Sequence, residues 1–257
     1  MATPFDTVLD NIRRSGYHNQ RRESHSNLLT ERLVTDMEAS CAVFAADRSN
    51  RTISEWRNKK GPDGRKTDLL IGSERTNGAP DLKQVRILVE HKSVITAHRN
   101  RNARKQDIER EMLATHKNNP RTIIVATVMV GVCSEVLNVP DRVRLHPKSQ
   151  GGRFERNILP RLSSGDQTLW KDFKGCVSKN KPDDPQKTIQ FFQTLPIRSI
   201  ADTAEIALDY LLFIPVAIDN VNPPRLERLA NFDPILDYGR MIDHLCRAYT
   251  IRWHDRP

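Results

Sequence analysis

The feature that most constrains the fold is an apolar, strand-like segment that ends in charged residues. In residues 85–94 (VRILVEHKSV), apolar side chains recur at every second position from Val85 to Val89, a pattern typical of a β-strand. The same alternation places the side chains of Glu90 and Lys92 side by side on one face of the strand. Because a carboxylate and an ammonium group are costly to bury without partners, we expect chemistry at this strand end.

A second apolar segment, residues 67–72 (TDLLIG), precedes the first and carries Asp68 at its head. If the two segments pair as a hairpin, Asp68, Glu90 and Lys92 meet at one end of a sheet. Two carboxylates close together repel each other unless a cation lies between them, and a hard divalent cation such as Mg²⁺ suits that position. Such an ion polarises a phosphate oxygen and lowers the pKa of a bound water. The pattern therefore favours hydrolysis of a phosphate ester.

The segment that follows is basic and has a helical pattern. Residues 97–117 are predicted to form a helix whose first half contains His98, Arg99, Arg101, Arg104 and Lys105. The whole chain carries 41 Lys and Arg residues against 32 Asp and Glu residues, a formal net charge of +9, which favours a polyanionic partner. We interpret the five basic residues as phosphate contacts to DNA, and a solvated helix face is the alternative.

These motifs carry a resemblance to a known family. The chain resembles the PD-(D/E)xK nuclease superfamily, and its layout is most similar to a type II restriction endonuclease, in its Pro62-Asp63 pair, Asp68 and the run Glu90-His91-Lys92. The resemblance implies that Asp68 and Glu90 bind Mg²⁺ and that Lys92 works with the attacking water. It also implies that the main-chain carbonyl of His91 completes the metal shell.

Two assignments within the resemblance stay open. The Pro-Asp pair places the first acid at Asp63, whereas the position at the head of the strand favours Asp68, because strand position determines where a metal ligand points. Many members of the superfamily also have a glutamate on the helix before the motif. The resemblance therefore suggests Glu38 as a further catalytic residue, and a surface glutamate is the alternative.

The remaining periodicity predicts the fold. We expect a helix over residues 30–47 with Thr30 as its N-cap, a buried strand at 121–132, a helix at 199–210, a strand at 211–218 and a final helix at 234–250. This order predicts an α/β (α+β) fold with a central mixed sheet flanked by helices. The resemblance implies a restriction-endonuclease-like core.

The same pattern suggests how the chain is organised. We expect one elaborated domain over residues 1–257, with a catalytic core at 30–137 and a returning core strand and C-terminal helix at 197–257. Residues 138–196, which are rich in proline and basic residues, form an insertion that we expect to take part in DNA recognition.

Composition excludes several other classes. The longest apolar runs are too short to span a bilayer, and the N-terminus lacks the apolar block of a secretory signal. The four cysteines form no CxxC pair, which predicts reduced thiols and a cytoplasmic protein without a membrane partner. The chain contains no Walker loop and no GxGxxG motif, so we expect no ATP-driven activity.

The resemblance implies a Mg²⁺-dependent, sequence-specific endonuclease that cleaves double-stranded DNA and works as a homodimer on a palindromic site. One alternative is a repair, recombination or modification-dependent nuclease of the same fold. The other is a non-catalytic DNA-binding protein in which the two acids and the lysine form a structural ion pair.

Overall fold

In the computed structural model, which describes residues 3–15, 23–95, 98–138, 158–229 and 231–255, a six-stranded mixed sheet forms the centre of the fold. The strands are β1 Ser54–Lys60, β2 Lys66–Glu74, β3 Pro80–Val94, β4 Ile123–Gly131, β5 Glu135–Leu137, β6 Val177–Lys179, β7 Tyr210–Ala217 and β8 Arg225–Leu226. The sheet order is β1-β2-β3-β4-β7-β8, and β5 pairs with β6 separately. The first three strands are antiparallel to one another, β3, β4 and β7 run parallel, and β8 is antiparallel to β7.

Helices cover both faces of this sheet. They are α1 Asp6–Ser15, α2 Glu23–Ser40, α3 Ala42–Ser49, α4 Arg101–Asn118, α5 Leu159–Ser164, α6 Leu169–Asp172, α7 Asp184–Phe192 and α8 Pro234–Trp253. Alternate residues of β2 divide between the two faces. Leu69 packs in the core formed with α1, α2, α3 and α8, whereas Leu70 packs with α4 and α7. The chain is therefore an α/β protein with a mixed sheet between two helical layers, as the periodicity predicted.

The strand predictions are confirmed where apolar periodicity is strong. Residues 67–72 and 85–94 lie in β2 and β3, which pair as the expected antiparallel hairpin. Almost every residue of β4 is buried, because this parallel strand lies inside the sheet with helices on both faces. The strand predicted at 211–218 corresponds to β7, and the final helix predicted at 234–250 lies within α8.

Two predictions about helices are wrong. Thr30 lies inside α2 rather than at its N-cap, and the predicted helix over 30–47 divides at Cys41, whose backbone is extended. The helix predicted at 199–210 does not form. A buried ion cluster holds that segment in an irregular path, because Asp209 accepts hydrogen bonds from Arg198, Arg252 and the main-chain N–H of Ile124. Charge pairing that reaches across the fold outweighs local helix preference here.

One strand was missed. The charged segment 47–66 contains β1, which pairs with β2 at the edge of the sheet. Among its seven residues only Trp56 is buried, so β1 lacks the apolar alternation that identifies a strand in sequence. Edge strands commonly carry charged side chains, which discourage pairing with other molecules.

The expectation of reduced thiols is wrong for one cysteine pair. Cys41, between α2 and α3, forms a disulfide with Cys246 of α8, 205 positions later in the chain. Cys133 and Cys176 are free. No sequence motif marks the pair, because the two positions approach each other only when α8 packs on α2.

Part of the predicted recognition insertion, residues 139–157, lies outside the described residues. The described remainder contains α5, α6, β6 and α7, and α7 packs against α4 and β4 through Ile189 and Phe192. The end of the insertion therefore contributes to the core. Within the described segments, no helix combines the length and apolarity needed to cross a membrane.

Candidate active site

The β2–β3 hairpin brings the predicted acids to one end of the sheet. Leu69 lies opposite Val89 in the antiparallel ladder, so Asp68 and Glu90 are the next residues along their strands at the same end. Both line a cavity of about 490 Å³ together with Lys92. Ligands of open α/β sheets bind beyond the carboxyl ends of the strands, which is where this cavity lies relative to β3 and β4.

Glu90 is a buried carboxylate beside a lysine. Its relative exposure is 4%, and one of its oxygens forms an ion pair with the Lys92 ammonium group. Burial raises the pKa of Glu90 to about 7; the charge of Lys92 opposes this shift, and the negative charge of Asp68 adds to it. Burial is the main cause of the raised pKa and the charge of Asp68 adds to it, so a divalent cation beside the two carboxylates would favour their charged forms.

The main chain of His91 connects the two acids. Its N–H donates a hydrogen bond to Asp68 Oδ2 at 2.7 Å. The N–H and C=O of one strand residue point to the same edge of the strand, so the His91 carbonyl lies on the Asp68 side. This direction agrees with the carbonyl role that the resemblance implies.

Asp63 is not among the residues that line the cavity, although its charge adds to the raised pKa of Glu90. Its carboxylate accepts hydrogen bonds from the main chain and the guanidinium of Arg65 at 2.8 and 2.7 Å. It also shares a hydrogen bond with Glu111 of α4, and burial followed by the contact with Asp63 raises the pKa of Glu111 to about 9. Glu111 is therefore protonated at neutral pH and donates to Asp63. Because Asp68 lines the cavity and Asp63 is engaged with Arg65 and Glu111, the geometry favours Asp68 as the first acid.

Glu111→Gln is expected to flatten the pH dependence of stability. The folded-state pKa lies above the ordinary value, so the contribution of Glu111 is full below pH 4.5 and is lost as pH rises through about 9. Glutamine is neutral at every pH and keeps a donor for Asp63. Between pH 6 and 9 the wild type should therefore lose about 3–4 kcal/mol of unfolding free energy relative to the variant in urea titrations. Glu109→Gln serves as the control, because Glu109 is a partly exposed residue of α4 that is ion-paired with Lys105. Parallel pH profiles for all three proteins would contradict the assignment.

The five predicted DNA contacts separate into different environments. Arg104 lines the cavity. Arg101 and Lys105 lie over the ring of Phe191 in α7, at 5.5 and 5.0 Å from its centre. His98 is buried, with Nδ1 at 2.6 Å from Thr188 Oγ1, and so does not lie on an exposed helix face. The side chain of Arg99 lies outside the described residues.

Glu38 does not join the two acids. It is exposed on α2 and forms an ion pair with Arg48, and it is not among the residues that line the cavity. The structure therefore places Glu38 in the surface environment that was the alternative to a catalytic role.

Several cavity residues were not identified from the sequence. Lys66 lines the cavity two positions before Asp68, and the strand alternation that relates Glu90 to Lys92 was a signal that could have found it. The N-terminal helices supply an apolar wall that includes Val8 and Leu29. No local signal marks that wall, because an apolar stripe on a helix indicates burial without showing what it faces.

The donor set fits magnesium better than a closed structural metal site. Among the described residues, no group of three or more His, Cys, Asp or Glu side chains is arranged to hold a metal ion. Proteins commonly hold Mg²⁺ through one or two carboxylates, and waters and substrate phosphates complete its shell. Asp68, Glu90 and the main-chain carbonyl of His91 match that requirement.

Comparison with protein-family models, curated proteins and solved structures finds no match for this chain. The site is therefore described from the geometry of its residues alone. Asp68, Glu90 and Lys92 share one cavity at the end of a hairpin, His91 links the two strands, and Arg104 adds positive charge.

Proposed function

We propose that the chain is a Mg²⁺-dependent, sequence-specific endonuclease of double-stranded DNA with a PD-(D/E)xK site on a restriction-endonuclease-like core. The observation that supports this proposal most directly is the position of Asp68, Glu90 and Lys92 around one cavity. Two acids and a lysine at the end of a hairpin are suited to hydrolysis of a phosphodiester bond.

Each residue of the site has a task in this proposal. Asp68, Glu90 and the His91 carbonyl would hold Mg²⁺, which when bound supplies Lewis-acid activation of a phosphate oxygen and of a water molecule. Lys92, whose side chain is 15% exposed beside Glu90, orients the attacking water and stabilises negative charge on the phosphate oxygens. The hydrophobic surroundings of the strand ends strengthen these charge interactions.

Positive charge around the cavity supports a DNA substrate. Arg104 and Lys66 line the same cavity as the acids, and the chain has a formal net charge of +9. We propose that these two side chains contact phosphates next to the cleaved bond, since phosphate contacts hold DNA in register. We also propose that residues 138–196 take part in recognition of the DNA sequence and that the protein cleaves DNA as a homodimer. A repair, recombination or modification-dependent nuclease would use the same site on other DNA.

One observation favours a second candidate function. Lys92 forms a direct ion pair with Glu90, as it would in a non-catalytic DNA-binding protein that retains these residues for structure. The two candidates differ in their response to Mg²⁺. A nuclease cleaves DNA when Mg²⁺ is supplied, whereas a non-catalytic DNA-binding protein does not cleave DNA with or without the ion.

Incubation of plasmid and phage DNA with the protein and Mg²⁺ tests the proposal, in parallel with Glu90→Ala and Lys92→Ala variants. Discrete fragments that require Mg²⁺ and are absent with both variants are expected. Random degradation that requires both residues would indicate a nuclease without sequence specificity. Retardation of DNA in a gel without cleavage would instead support the DNA-binding protein.

A further inference from the structure

The catalytic segment of β3 lies where the antiparallel ladder has ended. The β2–β3 pairing ends at Leu69 and Val89, and residues 90–92 continue beside β4 in parallel, with His91 opposite Thr127. On the β2 side, the carboxylate of Asp68 accepts the His91 N–H in place of a backbone carbonyl. The Asp68 carboxylate, which is itself proposed as a metal ligand, therefore acts as the acceptor that a backbone carbonyl would provide in a regular ladder.

The imidazole of His91 is held from two directions. Nε2 lies 3.0 Å from Thr30 Oγ1 on α2, and Nδ1 lies 2.8 Å from Thr127 Oγ1 on β4. A neutral imidazole has one donor and one acceptor nitrogen, and a threonine hydroxyl can serve either. Both ring nitrogens are thus matched to a hydroxyl, and the ring cannot rotate without losing hydrogen bonds to two separate elements.

We propose that Thr30, His91 and Thr127 form a positioning clamp, the His91 clamp, which fixes residues 90–92 so that the Glu90 carboxylate and the His91 carbonyl converge with Asp68. The proposal rests on the proposed function, because it assigns the clamp to the metal site. His91 and Thr127 line the cavity beside the two acids. In this proposal the three side chains act as positioning residues, because they hold the peptide that carries Glu90 and the His91 carbonyl.

Small displacements of the metal ligands are expected to weaken Mg²⁺ binding at such a site. Partners that orient metal ligands from outside the coordination shell typically contribute 10- to 100-fold to metal affinity or activity. The clamp also ties α2, whose residue Leu29 lines the cavity, to β3, the strand that carries Glu90. The hydroxyls of Thr30 and Thr127 are therefore expected to influence metal binding through the position of residues 90–92.

Thr30→Val and Thr127→Val test the clamp, because valine keeps the shape of threonine and removes the hydroxyl. Calorimetry should show that each variant binds Mg²⁺ about 10- to 100-fold more weakly than the wild type. Thr30→Ser and Thr127→Ser should restore affinity to within about threefold, since serine keeps the hydroxyl that the ring requires. DNA binding without metal should stay at the wild-type level.

A structural control and a spectroscopic readout accompany these variants. Thr115 of α4 is also buried, and within the described parts of the chain its hydroxyl has no hydrogen-bond partner, so Thr115→Val should leave Mg²⁺ affinity unchanged. Nitrogen-15 spectra of the His91 ring should show one fixed tautomer in the wild type and averaged signals in Thr127→Val. Melting temperatures identify any variant that has lost its fold.

The possible outcomes distinguish the clamp proposal from the nuclease proposal. Valine variants that bind Mg²⁺ as tightly as the wild type, while Glu90→Ala binds none, would overturn the clamp and leave the nuclease proposal in place. A wild type that neither binds Mg²⁺ nor cleaves DNA would overturn both proposals. An averaged His91 tautomer in the wild type would also contradict the clamp.

Discussion

Glu90→Gln is expected to lower DNA cleavage by at least about 10³-fold and at the same time to stabilise the protein at alkaline pH. Glutamine keeps the shape of the side chain but removes the charge that would bind Mg²⁺. Loss of a metal ligand should reduce kcat, whereas DNA binding without metal should persist, because Arg104 and Lys66 are unchanged. A structural role for Glu90 would instead lower stability and binding together.

The stability gain follows from the pKa of Glu90. Burial and Asp68 raise it to about 7 despite Lys92, so the favourable contribution of the protonated form is present below pH 4.5 and is lost as pH rises through 7. Glutamine resembles the protonated form at every pH. The variant should therefore be more stable by about 3 kcal/mol at pH 8.5 and within about 1 kcal/mol of the wild type at pH 5.

Steady-state cleavage assays and urea unfolding at the two pH values measure both effects. Glu55→Gln is a matched control, because Glu55 is also ion-paired, with Arg48 and Arg57, but lies on the edge strand β1. The control should retain wild-type cleavage. A Glu90→Gln protein that cleaves like the wild type, or that is less stable at pH 8.5, would contradict the assignment.

The hairpin and its acids could be predicted because their signals are local. The apolar run of β2 and the alternation in β3 predict the strands, and the position of Asp68 and Glu90 at the same end of the hairpin places them together once the strands pair. No comparable signal marks the His91 clamp. Thr30 and Thr127 lie 61 and 36 positions from His91, and only the packing of α2 and β4 on β3 brings them together.

The irregular segment after Arg198 shows a different limit. The pattern of apolar and polar residues at 199–210 suits a helix. In the structure, however, Arg198 donates to the main-chain carbonyls of Pro120 and Thr122. Arg252 donates to the main-chain carbonyls of Ser199 and Ile200. These contacts join the loop to the residues just before β4 and to the end of α8. Local propensity cannot reveal such partners, because they exist only in the folded chain.

Reduction of the Cys41–Cys246 disulfide is expected to lower the free energy of unfolding by about 3–5 kcal/mol, because the bond closes a long loop of the unfolded chain. The two cysteines are 205 positions apart, and the loop between them includes every strand of the sheet. For a chain of this size the loss corresponds to about 10 °C in melting temperature. Thermal unfolding with and without dithiothreitol measures this effect.

Cysteine variants make that measurement specific. Cys41→Ser and Cys246→Ser should each melt near the temperature of the reduced wild type and should not respond to dithiothreitol, whereas Cys133→Ser should behave like the wild type because Cys133 is free. Thiol counting under denaturing, non-reducing conditions provides an independent readout. The structure predicts two reactive thiols, whereas the sequence-based expectation of a reduced cytoplasmic protein predicts four. Four reactive thiols and identical melting curves would mean that α8 is held on α2 by packing without a covalent bond.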